Sequence, residues 1–177
     1  RFDESIALQA QVAEARSRLL GAQHPDTLFI ELNRAATLFQ AGQPRAALAQ
    51  LDHVLPLARK VLGDKHPQVH MGYDIRAQSA DALGDRALAM ASYRELVALR
   101  EAALGADDAR TVDAAWQLEG LLRQSGKAAE ADALRARYVT PLLQAKLDTL
   151  SEAQVAKRKD ILATEREEAL AARAGAK

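Results

Sequence analysis

Apolar residues recur near helical spacing from the first turn of the chain. Ile6, Leu8, Val12, Leu19 and Leu20 fall on such a stripe, and Gly21 follows as a stop, which predicts a helix over 2–20. A second stripe, Leu28, Leu32, Ala35 and Leu38, predicts a helix from near Pro25 to Gly42. Proline is tolerated at a first helical position because its missing N–H would be unpaired there anyway. Glycine just past the last turn takes the left-handed cap. A third stripe runs from Pro44 to Leu62 and ends at Gly63. The two-helix pattern then returns twice, as 67–83 with 86–104 and as 109–125 with 127 onward.

The return has a fixed period. Leu20-Gly21-Ala22-Gln23-His24-Pro25 reappears as Leu62-Gly63-Asp64-Lys65-His66-Pro67, and in altered form as Leu104-Gly105-Ala106-Asp107-Asp108-Ala109, 42 residues apart each time. Gly42, Gly84 and Gly126 keep the same step. Such a period predicts stacked repeats, here helix pairs at 21–62, 63–104 and 105–150. In register, Ala47, Ala89 and Ala131 form a column of small residues where helices cross closely. Ile6, Leu48 and Met90, and Ala13, Leu55, Val97 and Val139, form the larger columns of the stacking core. Arg1 aligns with Gln43, Asp85 and Lys127, so 1–20 reads as the second helix of a repeat whose first half lies upstream. That predicts partly uncovered apolar residues, Ile6, Val12 and Leu19, and self-association through the 2–20 helix. Pro56 and Pro141 are expected to interrupt second helices, Thr140-Pro141 alternatively as cap and first position of a new one.

After Leu150 the glycine register ends. Ser151 followed by Gln154 is a capping-box pattern, opening a charged helix to about Arg173 with sparse apolar residues, Val155, Ile161, Leu162 and Leu170. Residues 151–177 therefore read as a charged helix and tail with a polar outer face, covering the end of a 1–150 array.

Composition narrows function more than fold. The 177 residues hold 24 Lys and Arg against 24 Asp and Glu, so no overall cationic charge invites nucleic acid. Only 4% are aromatic, so the core rests on Ala, Leu and Val. No stretch of roughly 18 apolar residues is present to span a membrane. The absence of Cys removes disulfides and thiolate chemistry but leaves the compartment open. The expected location is cytoplasmic by default, or periplasmic if the array follows a membrane helix in its parent.

The repeated Leu-Gly-x-x-His-Pro, the later Gly and the Ala five residues beyond it resemble the 42-residue tetratricopeptide repeat of the kinesin light chain type, a variant also common in bacterial proteins. The resemblance covers 1 to about 143; unit three departs from it at Asp108-Ala109 and at Glu119, which stands where Ala35 and Ala77 stand. It implies an all-α, right-handed superhelix of antiparallel helix pairs whose first helices line a concave groove for a peptide or partner helix. By register the groove positions are Phe29, Asn33, Ala36 and Gln40; Met71, Asp74, Gln78 and Asp81; and Asp113, Trp116, Gln117, Gly120 and Arg123. The family's peptide-contacting asparagine is matched only by Asn33, with Ile75 and Gln117 in the other units.

Several residues invite chemistry and have plainer readings. Trp116, the sole tryptophan, is either a recognition anchor or a packing residue between units two and three. His66, His70 and Asp74 have spacing that can hold a divalent metal, but His66 aligns with His24 at a helix start, so no metal site is assigned. Lys157-Arg158-Lys159 reads as solvated surface. No phosphate loop, nucleophile motif or cofactor motif stands out. The expected function is non-enzymatic: a scaffold binding a protein or peptide segment. The alternative is a sensor or dimerisation region of a larger bacterial signalling protein such as a serine/threonine kinase.

Overall fold

The computed structural model describes residues 2–175, and among them every regular element is helical. The helices are α1 (Phe2–Leu20), α2 (Pro25–Gln40), α3 (Pro44–Leu62), α4 (Pro67–Ala82), α5 (Arg86–Leu104) and α6 (Ala109–Gln124). Then come α7 (Ala128–Leu134), a π turn (Arg135–Val139), α8 (Thr140–Gln144), a 3-10 turn (Leu147–Thr149) and α9 (Glu152–Gly175). Helices α2 and α3, α4 and α5, and α6 with α7 and the π turn pack as pairs. Each pair leans on the next through α3 on α4 and α5 on α6, with α1 against α2. This is a helical solenoid.

The glycines build its corners in two ways. Gly42 has a φ of 73°. Its N–H donates to the Phe39 carbonyl while the Gln43 N–H donates to that of Leu38, both at 2.9 Å. That is the double bond of a Schellman ending, and it recurs at Gly84 and Gly126. Gly63 and Gly105 instead adopt φ of 86° and 98° with ψ of 162°, a region that glycine alone occupies readily. The two series therefore turn the chain differently, one within a unit and one between units.

Each first helix opens on a side-chain cap. Nδ1 of His24 accepts the Asp26 N–H and Nδ1 of His66 accepts the Gln68 N–H, both at 3.2 Å. In unit three Asp108 does the same for the Arg110 N–H at 2.9 Å. The change from His-Pro to Asp-Ala keeps the cap, because the orphan amide needs only an acceptor there.

The small column Ala47, Ala89 and Ala131 is fully buried, and the column Ala13, Leu55, Val97 and Val139 is buried. Met90 is buried, while Ile6 and Leu48 are half-buried. Between units one and two the core is aliphatic: Leu28, Leu32, Leu51, Leu55 and Val69 close on one another. Gly72 lets α4 come close; a Cβ there would sit 2.5 Å from Leu55 Cδ1 and 3.1 Å from Leu32 Cδ2.

The two prolines behave differently from the expected interruptions. Helix α3 continues through Pro56. The bond lost there is the one to the Asp52 carbonyl, and both residues are exposed, so water can satisfy that oxygen. Near Pro141 the backbone widens instead: the Thr140 N–H donates to the Arg135 carbonyl, five residues back. Thr140 is itself helical and caps nothing.

Ser151 and Gln154 form the expected reciprocal cap. The Ser151 N–H donates to Gln154 Oε1 at 2.8 Å, and Ser151 Oγ accepts the Gln154 N–H at 3.3 Å. Helix α9 lies against α6 and α8, as α4 lies against α2 and α3. First-helix starts fall at Pro25, Pro67 and Ala109, steps of 42 residues; Glu152 follows after 43. The terminal helix thus takes the place of a further first helix, one residue out of register. At 24 residues it runs longer than the 16 of α2, α4 and α6.

Candidate functional groove

First helices carry the expected binding positions, and the structure sorts these into distinct environments. Phe29 and Gln40 on α2 are exposed, and Asn33 and Ala36 half-buried. On α4, Met71 is half-buried; Gln78 Nε2 donates to Asp74 Oδ1 at 2.8 Å, and Asp81 is exposed. On α6, Gln117 and Arg123 are exposed, while Asp113, Trp116 and Gly120 are half-buried.

Two side chains of α5 stand between α4 and α6. Arg100 donates through Nη2 to Asp74 Oδ2 at 2.9 Å and through Nη1 to the Arg110 carbonyl at 2.8 Å, tying the two first helices together. In the repeat register Arg100 occupies the place of Ala58, and Tyr93 that of Leu51. The larger residues fill space that α3 leaves to direct packing of α2 on α4. Tyr93 is 5% exposed, and burial pushes its phenol well above the usual tyrosine range, with Asp74, Asp113 and Asp81 adding negative field.

The C-terminal helix closes over part of α6. Lys157 Nζ donates to Asp113 Oδ1 at 2.6 Å and to Asp160 Oδ2 at 2.7 Å, and it lies 5.2 Å from the centre of the Trp116 ring. Burial works against the Lys157 charge, but the two carboxylate bonds outweigh it and its pKa rises. Arg158 Nη1 donates to the Ala145 carbonyl at 2.6 Å. Lys157-Arg158-Lys159 is therefore not a plain solvated run: the first two hold α9 in place and Lys159 is exposed. Trp116 packs beside Val112, Val139, Leu142 and Ile161, at the junction with α9 rather than between units two and three.

Glu119 is 3% exposed. It accepts from Arg123 Nε at 3.0 Å and from Arg135 Nη1 at 3.1 Å. Arg135 Nη2 reaches on to Glu165 Oε1 of α9 at 2.5 Å. A carboxylate at the Ala35 and Ala77 position is buried because two guanidiniums surround it.

These elements form a cavity of about 280 Å³ whose lining includes Asp81, Tyr93, Trp116, Gly120, Arg123, Arg135, Glu165 and Glu168. It gathers five of the expected positions, Asp81, Trp116, Gln117, Gly120 and Arg123. Phe29, Asn33, Ala36, Gln40 and Met71 lie outside its lining, and Asp74 and Asp113 are engaged by Arg100 and Lys157. Tyr93, Arg135 and Glu168 are additions that the repeat register does not point to. The one signal for the first two is a polar atom in the column that holds Leu51 in unit one.

The histidines do not converge. His66 caps α4, while His70 is buried with Nε2 2.7 Å from the Asp64 carbonyl oxygen. Among the described residues no His, Cys, Asp or Glu group is arranged to hold a metal ion. No helix there is long and apolar enough to cross a membrane.

Residues 1–60 match the family model for the tetratricopeptide repeat. Two curated relatives, clustered mitochondria protein homologs of Aedes aegypti and Culex quinquefasciatus, are each 28% identical over 105 residues. The match takes in 59% of this chain but only 7% and 8% of those much longer proteins. Among solved structures, a crystal structure of nearly identical TPR-like repeats from Podosopora anserina, assigned there to a kinesin light chain, superposes with a TM-score of 0.74 at 20% identity. It covers 96% of this chain and 82% of that one; a point variant of the same repeats gives 0.69.

Proposed function

We propose that this chain, which carries tetratricopeptide repeats stacked as a helical solenoid, is a scaffold that holds an extended segment of a protein partner against its first-helix face. The observation that carries this reading is the cavity between α4, α6 and α9, where five register-derived groove positions meet. Solenoids of this kind bury their apolar surface between neighbouring units and leave the first-helix face for recognition. Phe29, Asn33 and Met71 extend that face along α2 and α4 beyond the cavity.

The test is partner capture. Gln117→Lys with Asp81→Lys, and separately Phe29→Ala with Asn33→Ala, are expected to reduce capture by the immobilised chain at least tenfold, with helicity and melting unchanged. Capture that survives both pairs would remove the first-helix face from the proposal. Self-association is a second reading, favoured by Leu8 and Leu19 of α1, which are 61% and 83% exposed. A sedimentation experiment on the wild type and on Leu8→Lys with Leu19→Lys separates it: a dimer lost in the variant supports it, and a wild-type monomer at high concentration removes it. The broader alternative, a sensory or dimerisation region within a signalling protein, rests on that same self-association.

A further inference from the structure

We infer that the cavity between α4, α5, α6 and α9 receives a cationic side chain, lysine or arginine, from the bound segment. This rests on the scaffold reading above and gives it a chemistry.

Charge balance is the first observation. Four carboxylates line the cavity, Asp81, Glu119, Glu165 and Glu168, against two guanidiniums, Arg123 and Arg135. Both guanidiniums are already engaged. Arg123 is bound to Glu119 and Asp132, and Arg135 to Glu119 and Glu165. Asp81 and Glu168 pair with no cation among the described residues, and both are exposed. The cavity therefore presents uncompensated negative charge at exposed positions of its lining.

The second observation is independent of those acids. Tyr93 lines the same cavity, is 5% exposed, and its hydroxyl donates no hydrogen bond among the described residues. The ring is buried while the hydroxyl stays open to the cavity, where it is free to bond an incoming polar group. Its oxygen can accept from an ammonium or guanidinium while its proton goes to a backbone carbonyl of the incoming segment. Of the acids around it, Asp74 and Asp113 are held by Arg100 and Lys157, and Asp81 is left to attract a cation.

Size and shape agree. A cavity of about 280 Å³ is below the usual range for drug-sized ligands, about 300–1,000 Å³, and suits one or two side chains. Gly120 opens its wall. A Cβ there would meet nothing within 4 Å, so packing does not demand glycine in mid-helix. What the glycine leaves is bare backbone and room beside Trp116.

Trp116 lies in the lining and, as the sole tryptophan, reports on occupancy directly. Its fluorescence is followed while the whole chain is titrated with blocked alanine-glycine nonapeptides bearing a central Lys-Lys, Arg-Arg, Leu-Leu or Glu-Glu. Saturable change is expected with the Lys-Lys or Arg-Arg peptide, at least tenfold tighter than with Glu-Glu. Asp81→Asn with Glu168→Gln is expected to lose about tenfold, and Tyr93→Phe about threefold. Glu167→Gln, one residue outside the lining, is expected to bind as wild type. Gly120→Leu should fill the cavity and abolish the response. Preference for Leu-Leu or Glu-Glu, blocked by Gly120→Leu, would overturn the cationic inference while sparing the groove. Silence towards every peptide would overturn both. Equal loss in Glu167→Gln and in the double variant would show diffuse attraction and overturn the site.

Discussion

Two junctions of the same architecture are sealed by opposite means. Where unit one meets unit two, Leu28, Leu32, Leu51, Leu55 and Val69 close an aliphatic seam, and Gly72 draws α4 in. Where unit three meets α9, Ile161 is the sole fully buried aliphatic residue that α9 contributes among the described residues. Much of the rest is polar: Lys157 on Asp113, Arg135 on Glu165, Arg158 on the Ala145 carbonyl, and Glu119 beneath two arginines. Removing apolar area from water is non-directional and tolerates shape changes. Ion pairs taken out of water contribute little net stability unless every partner is in place. A first helix docked by charge is therefore held in one register, yet held less firmly than its apolar counterpart.

Leu51→Ala should have the largest effect, since it opens a fully buried seam. A loss of about 2–5 kcal/mol is expected from the lost transfer energy and the remaining cavity. Chemical denaturation should show it, by nearly the same amount in low and high salt. Arg135→Met is expected to cost less, about 2 kcal/mol, because Arg123 still accompanies the Glu119 it leaves behind. Its signature is local: amides of α9 should exchange faster while α2 to α5 keep their protection, and wild-type α9 should loosen in 1 M salt. Equal protection of α9 in both proteins would mean Ile161 and Trp116 alone secure it. The smallest effect concerns pH. Burial, only partly offset by the bond to the Asp64 carbonyl, lowers the His70 pKa below its ordinary 6.5. The unfolded chain then binds the proton more readily, so stability falls as pH drops below about 6.5. His70→Leu, which copies Leu28 of unit one, should flatten that part of the melting profile; an unchanged slope would place its origin elsewhere.

The aliphatic junction was legible in the sequence because its signals repeat. Glycine and proline stand at fixed intervals, and each apolar column is written three or four times. The ionic junction was not. Helix α9 has few apolar residues, and its start is displaced by one residue, which hid its equivalence to α2, α4 and α6. Glu119 was visible as a departure from Ala35 and Ala77, and Arg123 lies one turn on along α6, but Arg135 sits 16 residues downstream on the π turn, with Glu165 further still. The π turn before Pro141 left no periodic trace. Of the expected groove positions, Asp81, Trp116, Gln117, Gly120 and Arg123 line one cavity. Whether a carboxylate such as Asp113 stays free depended on Lys157 arriving from a helix outside the repeat pattern.

The single-file order of the units has a mechanical consequence. Each layer touches only its neighbours, so a pull along the axis passes through every junction in series and the weakest one extends first. With hydrocarbon at one joint and opposed charges at the other, the array behaves as a spring of graded stiffness. Under load α9 would peel away before the leucine seam yields, and the wall that Glu168 contributes to the cavity would leave with it.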